Sequence, residues 1–111
     1  MMNMNSAWLY LIAAGICEVA WAIGLKYSEG FTKLGVSVVT VIIMILSFVL
    51  LAQAMKSLPL GTAYASWTGI GAVGAALLGI FLFNEPKDAI RLLCIGLIIA
   101  GVLGLKFLAK E

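Results

Sequence analysis

Charge is what this chain has least of. Only 11% of its 111 residues are Asp, Glu, Lys or Arg, histidine is absent and proline occurs twice, whereas 64% are hydrophobic. Soluble domains carry about 25% charged residues, so a soluble fold is excluded. With it go a hidden nucleotide site and a cytosolic enzyme centre. The net charge of +2 is too small and too scattered for a nucleic-acid partner. Period-two alternation is missing, which excludes a transmembrane barrel. Tandem repeats and low-complexity segments are missing too. Residues 1–6 are too short and too polar for a signal peptide, and 6–27 lacks a small-residue cleavage pattern followed by a mature domain, so the first apolar stretch is expected to stay. Cys17 and Cys94 lie inside apolar runs, where a free thiol behaves as a small hydrophobe. Neither a disulfide nor a metal site is expected, nor any cofactor.

What is present is hydrophobic length. The charges cluster at 26–33, 56, 85–91 and 106–111 and leave four apolar stretches, about 6–27, 34–55, 59–83 and 90–108. Each can cross a hydrocarbon core of about 30 Å as a helix, and in lipid a helix satisfies its own backbone. The expectation is an all-α membrane protein, one four-helix transmembrane domain over 1–111. Its loops are so short that sequential helices should be antiparallel neighbours. Three basic residues (Lys56, Lys106, Lys110) face one side and four (Lys26, Lys33, Lys87, Arg91) the other. The positive-inside rule needs an excess on one side. Either a weak bias chooses one orientation, or both are made, which would permit an antiparallel homodimer.

The third stretch is rich in glycine. Its Gly69-Ile-Gly71-Ala-Val-Gly74 matches a dinucleotide fingerprint, but that fingerprint needs a preceding strand and an exposed helix N-terminus, which mid-membrane sequence cannot supply. Gly71, Ala75 and Gly79 instead form a small-residue ridge for close helix approach, and the Gly69–Gly74 cluster is a candidate bend. The fourth stretch carries Gly96, Ala100, Gly101 and Gly104 and no polar residue between Cys94 and Lys106. That pattern reads as an assembly seam with nothing for chemistry.

Glu18 is the exception to the scarcity of charge. It stands near the middle of the first stretch, with no other charged residue before Lys26. A carboxylate at a helix centre costs about 2.5–3.5 kcal/mol by insertion scales, and residues kept at that cost serve transport, proton relay or ligand pairing. The structural alternative is a helix-to-helix hydrogen bond. Trp21 is one turn away on the same face, with Ala14, Gly15 and Ala22 leaving space. Ser47, Tyr64, Ser66, Trp67 and Thr68 are the other deep polar groups. Ser66 and Thr68 read as packing residues, and Ser47 alone could bond to its own helix. Trp8, Tyr10 and Tyr27 fit interfacial belts, whereas Trp21 and Trp67 sit too deep for one. Lys106 and Lys110 would snorkel to headgroups. A carboxylate, a hydroxyl and aromatic faces on one cavity would suit a cation. Proton and cation competing for one carboxylate would give antiport by exclusion.

Three runs carry a family resemblance: Glu18-Val-Ala-Trp21-Ala, Lys26-Tyr-Ser-Glu-Gly-Phe-Thr32, and Pro59-Leu-Gly-Thr-Ala-Tyr64-Ala-Ser-Trp67-Thr-Gly-Ile-Gly71. Together they resemble the small multidrug resistance family over essentially the whole chain. Trp21 and the Gly104-Leu105-Lys106 ending resemble its guanidinium-exporter branch. The resemblance implies a dual-topology antiparallel homodimer in the bacterial inner membrane, exchanging protons for guanidinium by alternating access. It makes Glu18 the shared proton and substrate site, with Trp21 and Ser47 as hydrogen-bond partners that hold it. Tyr64 and Trp67 become pocket walls, and the glycine segment of the third helix the place where that helix bends. The leader 1–5, Ala20 and Ser66 depart from the usual pattern and leave the pocket size open. Three other readings stand beside this one: a broad exporter of quaternary ammonium or hydrophobic cations, a non-transporting membrane subunit, and half of a heterodimer.

Overall fold

The computed structural model describes residues 4–108. Lys110 and most of the leader lie outside the described residues. Four helices make up almost all of it: α1 (Met4–Tyr27), α2 (Leu34–Ala54), α3 (Leu60–Phe83) and α4 (Ala89–Leu108). All four are long and apolar enough to span a membrane, and no strand occurs among the described residues. The chain is a multi-pass membrane protein.

The turns follow local chemistry. Pro59, extended at φ −60° and ψ 149°, caps the start of α3, and its carbonyl accepts the N–H of Ala63 at 2.9 Å. Proline suits this end because the first N–H groups of a helix lack intrahelical partners. At the other end Asn84 turns left-handed (φ 53°), and the next residue, Glu85, donates its N–H to the Gly79 carbonyl, the usual way to stop a helix without glycine. Between α1 and α2, three successive residues, Glu29, Gly30 and Phe31, have positive φ. The buried Ser28 holds that loop: its Oγ donates to the Leu25 carbonyl at 2.7 Å and accepts the Phe31 N–H at 3.1 Å.

In space the helices run α2–α1–α3–α4, with α1 between α2 and α3 and the α4 backbone close to α3 alone. The result is flattened, 43 × 36 × 16 Å, not a square bundle. One expectation is corrected here. α2 and α3 are consecutive and joined by a short turn, yet their backbones barely meet. Small residues on α1 let both neighbours approach it instead. A Cβ at Gly24 would overlap Thr40 of α2, and one at Gly15 would meet Ile70 of α3 at 2.5 Å.

The core sits toward one end. Ala7, Trp8, Leu11 and Ala14 of α1 are buried with Leu51 and Ala54 of α2, Leu58 of the turn, and Ala63 and Trp67 of α3. Trp8 is therefore not a lipid-facing belt residue. It is only 6% exposed, and the Lys106 ammonium lies 5.5 Å over its ring. α4 has no buried residue. A Cβ at Gly96, Gly101 or Gly104 would meet nothing within 4 Å, and Ala100 is exposed as well. These notches are open to whatever lies beside the subunit.

Candidate functional site

Glu18 leaves α1 toward α3, and its side chain lies across Gly71. A Cβ at position 71 would overlap Oε1, Cδ and Cγ of Glu18. Gly71 thus belongs to a ridge whose first notch takes a carboxylate, where the sequence pattern suggested another helix. One turn further on, Gly74 admits Val19 of α1, so α1 and α3 touch on both sides of the acid. Glu18 is half-buried. Its Oε1 is fully covered and has no hydrogen-bond partner among the described residues. An unpaired carboxyl oxygen in an apolar setting is costly, so this atom stands ready to accept a donor.

An aromatic chain runs beside it. Trp21 meets Phe48 edge-on at 6.2 Å, Phe48 meets Trp67 at 5.8 Å, and Trp67 meets Tyr64 at 5.5 Å. Phe48 is the link between the two tryptophans, and the sequence reading missed it. Its signal was faint: an aromatic next to Ser47, in a run so apolar that it looked lipid-facing. The Trp21 Nε1 is buried and unpartnered, a donor on the same helix face as Glu18. Tyr64 is 54% exposed on the open side, whereas Trp67 is 6% exposed.

Ser47 does not hold Glu18 within the subunit, contrary to the role that the resemblance implied. Its hydroxyl donates to the Ala14 carbonyl of α1 at 2.8 Å and accepts the Trp67 Nε1–H at 3.0 Å. A serine hydroxyl has one proton, and here it is committed. The bond pair ties α1, α2 and α3 together in the buried interior, with Ser47 at 0% exposure. Ser47, Trp67 and Tyr64 are thus brought together directly, Trp21 joins them through Phe48, and Glu18 stands alongside without a bond to any of them. Ser66 is likewise fully buried with an unpartnered hydroxyl.

The arrangement offers a carboxylate with a free oxygen, a free indole N–H and several ring faces on a flattened subunit. Aromatic faces attract cations, and a carboxylate can take two parallel N–H donors from a planar cation. The subunit alone supplies one side of such a site.

Residues 6–98 match the family model described as Small Multidrug Resistance protein. The chain is 60% identical over 100 residues to a guanidinium exporter of Yersinia pseudotuberculosis, covering 90% of this chain and 96% of that protein. It is 55% identical over 103 residues to a guanidinium exporter of Salmonella typhimurium, covering 93% and 98%. To a guanidinium exporter of Citrobacter freundii it is 57% identical over 100 residues, covering 90% and 95%.

Proposed function

The chain belongs to the small multidrug resistance family, and we propose that it exports guanidinium and small substituted guanidinium cations in exchange for protons, the two competing for Glu18. The observation that carries this reading is the Glu18 carboxyl itself, set in an apolar helix, resting on Gly71, with Oε1 covered and unbonded. The names of relatives 55–60% identical to it support guanidinium as the cargo.

Guanidinium fits the chemistry by shape. It is planar, presents parallel N–H donors to a carboxylate and stacks on aromatic faces. In this reading the cation binds Glu18 edge-on, the Trp21 N–H steadies the carboxylate, and Tyr64 and Trp67 form a wall. Ser47 acts by fixing the Trp67 ring. A proton on Glu18 removes the charge that the cation needs, so one carboxyl cannot serve both at once. Alternation between the two occupants across the membrane is antiport.

The flattened subunit needs a second copy to close the pocket. An antiparallel homodimer in the bacterial inner membrane supplies it, with the Gly96, Ala100, Gly101 and Gly104 face of α4 as the seam. The test is transport current in proteoliposomes with guanidinium and with a bulky aromatic cation. Guanidinium is expected to give current in the unmodified protein and none in Glu18→Gln. Current for the bulky cation alone would overturn the reading in favour of the broad-exporter alternative.

A further inference from the structure

A cleft between the far ends of α1 and α3 holds a second carboxylate and a second aromatic face. We propose that Glu85 and Phe83 form an outer cation station at the membrane surface, where a guanidinium-type cation docks before it reaches Glu18; this rests on the exporter reading above.

The cleft is a cavity of about 270 Å³ lined by Ala22, Lys26, Ala75, Gly79, Phe83 and Glu85, among others. It begins where the seat of Glu18 ends. Ala22 is one turn beyond Glu18 on α1, and Ala75 is one turn beyond Gly71 on α3. Of the ridge Gly71–Ala75–Gly79, the last two line the cavity, and Gly71 lies one turn before them. The end notches of the ridge are eight residues apart, about 12 Å along the helix.

Both notches are filled in the same way. At Gly71 a Cβ would overlap the Glu18 carboxylate, and at Gly79 it would overlap the Glu85 carboxylate. The chain reversal after α3 creates the second seat: the left-handed Asn84 turns the backbone, and the Glu85 N–H returns to the Gly79 carbonyl at 3.3 Å. The main chain makes this cap. The carboxylate is left over, folded back into the cavity.

The basic residue within reach does not neutralise it. The ion pairs among the described residues are Lys33–Glu29 and Arg91–Asp88; Lys26 and Glu85 line one cavity without pairing. Lys26 places its ammonium 5.1 Å over the Phe83 ring. The face of Phe83 thus already takes a cation, one tethered to a flexible stem whose head can move into water. A free guanidinium can do what the tethered ammonium does not: lie on the ring and reach Glu85 with two N–H groups. Lys26 is then a placeholder that the cargo displaces, and the cavity ends at Ala22 and Ala75, each one turn from the Glu18 seat.

The test is the concentration dependence of guanidinium current in proteoliposomes. Glu85→Gln keeps the main-chain cap and is expected to raise the apparent KM about tenfold with the maximal rate within about twofold, as loss of a surface charge that attracts the cargo should. Gly79→Ala keeps every charge but displaces the carboxylate, and is expected to raise KM in the same direction. Lys26→Met is expected to lower KM by about threefold by removing the competitor. A binding measurement separates docking from turnover: in Glu18→Gln protein, millimolar guanidinium should still broaden its own magnetic resonance signal, and adding Glu85→Gln should abolish that broadening. An unchanged KM in both Glu85→Gln and Gly79→Ala overturns the outer station, as does broadening that survives the double substitution. A lower maximal rate at unchanged KM would make Glu85 structural and overturn it as well. An unmodified protein that carries no guanidinium is a different result, and overturns the exporter reading itself.

Discussion

On the amino-terminal side of Glu18, α1 buries Ala7, Trp8, Leu11 and Ala14 against α2, α3 and the turn between them. On the other side, from 16 to 27, α1 buries nothing, and only Gly79 is buried on α3 beyond Gly71. The first half is cross-linked by Ser47, whose two hydrogen bonds span three helices. The second half has small residues, a cavity and side chains that end in charge. Interhelical hydrogen bonds and close packing are what hold membrane helices together, because lipid tails are as apolar as leucine. The first half has both, whereas beyond Glu18 close contacts persist at Gly74–Val19 and Gly24–Thr40 but no side-chain hydrogen bond joins the helices among the described residues. Glu18 lies at the boundary, with the hydrogen-bonded core on one side and the less bonded half, with its charged cavity, on the other.

Substitutions on the two sides should therefore fail in different ways. The largest effect is expected at the boundary. Gly71→Ala should lower guanidinium transport by about a hundredfold, because a shift of about 1 Å in a reacting group can cost that much, while the thermal unfolding midpoint in detergent stays near that of the unmodified protein. Undiminished transport in Gly71→Ala would show that the Glu18 seat has no role. A smaller and opposite pattern is expected in the hydrogen-bonded half. Ser47→Ala leaves the buried Trp67 N–H without its acceptor, at about 1–3 kcal/mol. It should lower the unfolding midpoint clearly and reduce transport mainly in proportion to lost folded protein, with a smaller part, about twofold, from the loosened Trp67 ring. If Ser47→Ala abolished transport in a protein of normal stability, the hydroxyl would belong to the site, and the division between the halves would dissolve. The smallest effect is expected at the surface. Glu29→Gln removes an ion pair with both partners more than half exposed, worth about 0–1 kcal/mol, and should leave both the midpoint and transport within error.

The membrane class of the fold was legible from hydropathy because segregated charges mark where water begins. The family was legible because its motifs fall in three separate runs. Hydropathy could not say which helices touch. A leucine facing lipid and a leucine facing protein look alike, so the sequence offered no sign that α1 separates α2 from α3. Trp8 shows the same limit: a tryptophan near a helix end fits a headgroup belt, yet this one is turned inward under Lys106. Among the candidate site residues, spacing put Glu18 and Trp21 on one face and Tyr64 and Trp67 on another. It could not show that the one proton of Ser47 is spent on the Ala14 carbonyl, since that carbonyl belongs to the backbone and carries no signature of its own. Nor could it show Phe48 bridging the two tryptophans, because an aromatic in an apolar run has no sequence mark that tells contact from solvation by lipid.

The 16 Å thickness of the subunit reaches beyond geometry into gene dosage. If a lumen exists only where two such slabs meet, the working unit is set by encounters in the plane of the membrane, and assembly follows mass action in two dimensions. Sparse copies would then be disproportionately inactive, and doubling expression would more than double export. An inert variant made alongside the intact chain would disable more than its own share, because each mixed pair removes an intact copy as well.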